Sequence, residues 1–148
     1  MRARDEAAPG LPLLVKIAPD LSFAEIDEVL DVLTASPISG VIPTNAMNSL
    51  PPHKPGGLSG PPLREKATSI IRHIWKQTRG QLPIIGVGGI HDAESALEKL
   101  RAGASLVQVY TGLIYKGPSL VRQINEGIVA WMEVQGIRAV GELVGADV

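Results

Sequence analysis

The residues best placed to do chemistry lie in one stretch, LPIIGVGGIHDAESALEKLRAGASLVQVYTG, residues 82–112. It reads as two apolar strands, 82–87 and 106–110, flanking a helix over 92–102 that stops at Gly103. The first strand closes on Gly88 and Gly89, the second on Thr111 and Gly112. Glycines at a strand end leave backbone N–H groups open to a ligand at the mouth of the next helix, which suits an anion. Thr111 adds a hydroxyl donor from the neighbouring strand. Convergence of these donors describes a phosphate cradle; two βα turns that need glycine only for tight geometry describe it equally well.

Two earlier strands end in polar groups of the same kind. LLVKIA, residues 13–18, carries Lys16 inside an apolar run. Burying an unpaired ammonium costs several kcal/mol, so Lys16 must reach solvent, a carboxylate or a bound anion. GVIP, residues 40–43, leads into Thr44 and Asn45. An asparagine both donates and accepts, which suits a flat polar ligand; turn asparagines are also common.

Helices alternate with these strands. Ser22 and Glu25 match a capping box, followed by an apolar face of Ile26, Val29, Leu30 and Leu33 and an acidic face read as solvated. A helix over 63–78 buries Ile70, Ile71, Ile74 and Trp75 and turns His73 outward. Another runs from 117 to 135, and a short one lies near 139–144. Residues 1–12 read as a linker before a domain at 13–148. The Pro- and Gly-rich segment 46–63 is a long loop of the kind that usually serves as a lid or stays disordered, with His53 exposed in it. The strands begin at 13, 40, 82 and 106. A (β/α)₈ barrel needs roughly 250 residues, so four βα units in 148 residues predict half a barrel. A doubly wound parallel sheet is the alternative. Either fold places ligands at strand C-termini.

Composition excludes several classes. A net charge of -1 with 3% aromatic residues gives nucleic acid nothing to bind. There is no cysteine for disulfides or thiolate metal sites, and no apolar run approaches a membrane span. The segment MRARDEAAPG is not a signal peptide.

VKIAPDL at 15–21, GGLSG at 56–60, PIIGVGGI at 83–90, ALEKLRAGASLVQVYTGLIYKGP at 96–118 and GAD at 145–147 resemble the quinone-dependent (class 2) dihydroorotate dehydrogenases, in their C-terminal half. The resemblance implies an FMN enzyme that oxidises dihydroorotate to orotate and reduces ubiquinone in pyrimidine synthesis. Its setting would be the mitochondrial inner membrane or the bacterial cytoplasmic membrane. It implies that Lys16 lies beside the flavin ring, Thr44 contacts FMN, Ser59 and Gly60 line the flavin, and Gly88, Gly89, Tyr110 and Thr111 hold its phosphate. Asn45 would bind orotate. The family's serine base falls upstream of the matching region, so no catalytic residue is assigned here and no metal is expected. The chain alone is expected to be inactive and to hold FMN weakly. Two departures stand out: Ala46 replaces a usual hydroxyl residue, and Pro43 removes a strand N–H. A non-catalytic half-barrel that pairs with itself or a partner chain is the second reading; another FMN or phosphate-binding barrel is the third.

Overall fold

The computed structural model describes residues 6, 8, 10–48 and 56–148. Four short strands alternate with helices: β1 (Leu14–Ile17), α1 (Phe23–Thr34), β2 (Gly40–Pro43), α2 (Arg64–Thr78), β3 (Ile85–Val87), α3 (Ala93–Arg101), β4 (Leu106–Gln108), α4 (Thr111–Lys116) and α5 (Ser119–Gln135). Single 3₁₀ turns, Pro61–Leu63 and Val140–Leu143, precede α2 and follow α5. The predicted His53 lies outside the described residues, as does much of the predicted linker.

The helices start where the sequence can satisfy their free N–H groups. At α1 the Glu25 N–H donates to Ser22 Oγ (3.3 Å) and the Ser22 N–H donates to Glu25 Oε2 (2.8 Å), the predicted capping box. At α3, Asp92 accepts from the Ser95 N–H at 2.8 Å, and Ser95 Oγ accepts from the Asp92 N–H at 3.1 Å. Burial opposes ionisation of Asp92, but the Ser95 hydrogen bonds, with His91 and Arg64 nearby, hold its carboxyl below the usual range.

All pairing is parallel. β1 and β2 run from Leu14 opposite Gly40 to Ile17 opposite Pro43, and β3 and β4 from Ile85 opposite Leu106 to Val87 opposite Gln108. A bridge between Val41 and Ile84 joins the two pairs, supported by the Val41 N–H donating to the Pro83 carbonyl at 2.9 Å. Spatial order therefore follows chain order. A doubly wound sheet reverses its order at a switch point, whereas an arc of a barrel does not. The helices agree: α1 packs on α2, α2 on α3, and α3 on α5. The protein is an α/β partial barrel of four βα units.

The core lies between strands and helices. Val41 and Ile84 are 0% exposed beneath Ile26, Ile70, Ile71 and Ile74, and a second cluster joins Leu97 and Leu100 of α3 to Ile124 and Ile128 of α5. The opposite face of the strands is open: Lys16 and Gln108 are exposed, and Leu106 is 62% exposed. The apolar runs predict cover on both faces, and the structure covers one. Closing a barrel arc requires further strands, and none lies over this face among the described residues.

Other differences have local causes. The strand predicted to run to residue 110 stops at Gln108, because Tyr110 (φ -134°, ψ -77°) turns the chain into α4. At six residues, α4 is too short for its helical period to stand out. His73, predicted to face out, is half-buried: its Nε2 lies 2.6 Å from Asp27 Oδ1 and its ring stacks on Phe23 at 4.3 Å. Asp27, its side chain 46% exposed, stays on the solvated face of α1 while holding His73. Pro43 costs no visible break, since the next N–H groups supply the bonds: Thr44 donates to the Val87 carbonyl (3.1 Å) and Asn45 to the Ile17 carbonyl (2.9 Å).

Candidate functional site

The C-terminal ends of the four strands surround a cavity of about 270 Å³. Each strand contributes what its last turn allows. β1 sends Lys16, whose side chain has no ion-pair or hydrogen-bond partner among the described residues. β2 delivers Thr44, Asn45 and Ala46; the Thr44 hydroxyl donates to the Asn45 carbonyl at 3.1 Å, leaving its lone pairs for a ligand. β3 delivers Gly88 and Gly89, and β4 delivers Gln108, Tyr110 and Thr111.

The loop between β2 and α2 closes the remaining side. Met47 and Leu58 exchange both backbone hydrogen bonds (3.0 and 2.8 Å), which pins the loop ends and brings Ser59 and Gly60 to the rim. Ser59 Oγ lies 2.8 Å from Thr111 Oγ1, so the loop is tied directly to the end of β4. Lys16, Thr44, Asn45, Ser59, Gly60, Gly88, Gly89, Tyr110 and Thr111, the residues singled out in the sequence, thus meet at one cavity.

The two strand-end glycines are required by position. Gly88 and Gly89 have φ of +122° and +74°, where side chains rarely sit. A Cβ on Gly89 would lie 2.6 Å from Arg64 Cα and 2.8 Å from Arg64 N, and one on Gly88 would lie 2.8 Å from Ala67 Cβ. The first turn of α2 is therefore the wall behind this part of the cavity, and the glycine backbone forms its inner surface. Lys16 and the glycine-lined strand end together suit an anionic ligand.

Sequence reasoning missed Gln108, which lines the cavity beside Tyr110. Its signal was the same as that of Lys16: a polar residue inside an apolar strand, facing the open side. It also missed a buried polar network outside the cavity. Arg64 Nε donates to Glu98 Oε2 at 2.6 Å and Arg64 Nη2 to Glu94 Oε1 at 3.0 Å, while Lys99, 0% exposed, reaches the Arg64 carbonyl, Thr68 and Glu98. Burial raises the Glu98 carboxyl, yet hydrogen bonds from Thr68 and Arg64 and the charges of Lys99 and Arg64 bring it below the usual range. Burial depresses the Lys99 ammonium to about 8, with Glu98 acting against that fall and Arg64 and Arg72 adding to it. The hydrogen-bonded partners that join α2 to α3 are 30 or more residues apart in sequence, and no local pattern announces them.

The dihydroorotate dehydrogenase family model matches residues 3–132. A dihydroorotate dehydrogenase (quinone) from Acaryochloris marina is 48% identical over 95% of this chain and 41% of its own length. One from Anaeromyxobacter sp. is 48% identical over 97% of this chain and 41% of its own. A crystal structure of ligand-free DHODH from Eimeria tenella superposes with a TM-score of 0.85 at 38% identity, covering 91% of this chain and 39% of that one. The chain spans about two-fifths of the length of the curated relatives it matches. Fold, strand order and sequence agree: the chain belongs to the dihydroorotate dehydrogenase family.

Proposed function

We propose that this chain carries the flavin-phosphate side and one orotate-binding group of a quinone-linked dihydroorotate dehydrogenase, corresponding to the C-terminal half of that enzyme. The observation that carries the reading is the meeting of Lys16, Asn45 and the Gly88–Gly89 turn around one cavity at the strand ends. FMN fits the donor set. Gly88, Gly89 and Thr111 offer donors for its phosphate, with Ser59, Gly60, Thr44 and Tyr110 along its length, and the unpaired Lys16 supplies a cation for the ring. Asn45 then holds orotate by matched donor and acceptor groups. When bound, FMN would supply the redox chemistry that carries electrons from dihydroorotate to quinone, and the residues here would bind and orient it and exclude water. Delivery to ubiquinone places the complete enzyme at a membrane, bacterial or mitochondrial. The described residues contain no helix long and apolar enough to cross one.

The reaction also needs a base to take the substrate proton, and among the described residues lining this cavity Lys16 and Tyr110 are the titratable groups. Dihydroorotate oxidation by the complete enzyme therefore depends on the remainder of the barrel. The test is turnover of dihydroorotate with a quinone acceptor, by the chain alone and by the chain mixed with the complementary segment of a relative. Activity only in the mixture is expected. Full activity of the chain alone, or none in a well-assembled mixture, contradicts the proposal.

A second reading is favoured by the exposed strand face around Leu106: a half-barrel that pairs with a second copy or a partner half. Light scattering of the chain tests it, with a dimer expected and a well-folded monomer against it.

A further inference from the structure

Lys99 takes no part in the cavity, yet it is fully buried in the polar network behind it. Its Cβ packs near Gly86 of β3, and its Nζ reaches across to the start of α2. There it donates to the Arg64 carbonyl (2.7 Å), to Thr68 Oγ1 and to Glu98 Oε1 (3.4 Å). Three acceptors match the three protons of an ammonium, and a neutral amine has only two. In this arrangement the single proton of the Thr68 hydroxyl goes to the Arg64 carbonyl (2.9 Å) or to Glu98, and to donate to a neutral Lys99 amine Thr68 would have to turn that proton away and give up the bond. Arg64 is also the residue whose backbone would meet a Cβ on Gly89, and Ala67, one turn on, the one that would meet a Cβ on Gly88, so both stand directly behind the glycine turn.

We propose that the Lys99 ammonium is a positioning group for the glycine turn, holding the first turn of α2 against Gly88 and Gly89 and releasing that wall when its proton leaves. The inference rests on reading the turn as the flavin-phosphate site for its functional meaning, but the mechanical link stands on the contacts themselves. Protonation of one buried lysine thereby sets the geometry of an anion site it never touches. The charged groups facing it are Glu98 of α3 and Arg64 and Arg72 of α2, and β3, with the sequence Ile-Gly-Val at 85–87, carries no charged side chain. Its ammonium is depressed to about 8, close enough to neutrality for the device to operate in mildly alkaline solution.

The test needs no ligand. Carbon-detected NMR of the full chain follows the Lys99 side chain and the Gly88 and Gly89 backbone carbons through a pH titration. The expected result is a transition at both glycines with the midpoint of Lys99 itself, lost in Lys99→Arg, which keeps a cation that does not titrate in this range, and in Lys99→Met. Glycine signals that stay flat while Lys99 titrates overturn the proposal, and the wild-type chain alone decides this if the variants fail to fold. A matching experiment adds FMN at pH values on either side of the midpoint. Coupled glycines with no FMN binding leave the positioning role standing and count against the flavin reading. FMN binding with uncoupled glycines does the reverse.

Discussion

Ser59 Oγ and Thr111 Oγ1 lie 2.8 Å apart, although 52 residues separate them. One stands on the loop after β2 and the other at the first turn of α4, so this contact ties the loop after the second strand to the chain leaving the last strand of the arc. Its energetic signature is a coupling between the two side chains. Ser59→Ala and Thr111→Val should each lower FMN affinity, and a double-mutant cycle should give an interaction of about 1 kcal/mol. Additive losses would show that the two hydroxyls act separately.

Gly89 and Gly117 provide a matched pair. Both have φ near +74°, at +74° and +73°, but a Cβ at Gly89 meets the Arg64 backbone and one at Gly117 meets nothing within 4 Å. Gly117→Ala should cost about 1 kcal/mol of stability, from backbone strain alone. Gly89→Ala should add an overpacking cost of about 1–3 kcal/mol and weaken FMN binding. Urea denaturation of both variants, with flavin titration of the folded ones, measures the difference.

The stability of the chain should rise with alkalinity over a defined window. Burial lowers the Lys99 ammonium to about 8, so between there and the ordinary lysine value of 10.5 the unfolded chain binds a proton that the folded chain does not. The unfavourable charged state is present in the fold below about pH 8 and relieved above it, giving a gain of up to about 3 kcal/mol across the window. Urea midpoints measured from pH 7 to 10 should climb in the wild type and stay level in Lys99→Met. Glu98→Gln should move the Lys99 titration lower still, because the carboxylate opposes the burial effect.

Ala46 lines the cavity next to Asn45, at the position where the resemblance read from the sequence leads us to expect a hydroxyl residue. Ala46→Ser should tighten orotate binding in the assembled barrel by about 1 kcal/mol, the typical net value of one hydrogen bond. Calorimetry with orotate checks this, and unchanged affinity would show that the position does not face the substrate.

Much of the fold was legible because its signals are local. Ser22 and Glu25 announced α1, Gly103 ended α3, and β2 was bounded correctly at residues 40–43. The cavity residues were legible for a related reason: strand ends in a βα arc point to one place, so Lys16, Asn45 and Gly88–Gly89 meet once the strand order is known. What escaped depends on distant partners. Lys99 sits on α3 between apolar positions and looks like a surface lysine until Arg64 and Thr68 are brought against it. The open face followed from counting four βα units as half a barrel, and not from the strands themselves, since an apolar run states that a strand can be covered and not what covers it.

The most direct measurement of the central claim is ³¹P NMR of FMN titrated with the purified chain, alongside Gly89→Ala. The account predicts that the wild-type chain shifts or broadens the FMN phosphorus signal, that the variant does so less, and that riboflavin competes poorly. A phosphorus signal unchanged by excess folded wild-type chain would contradict the assignment of this cavity as a flavin-phosphate site.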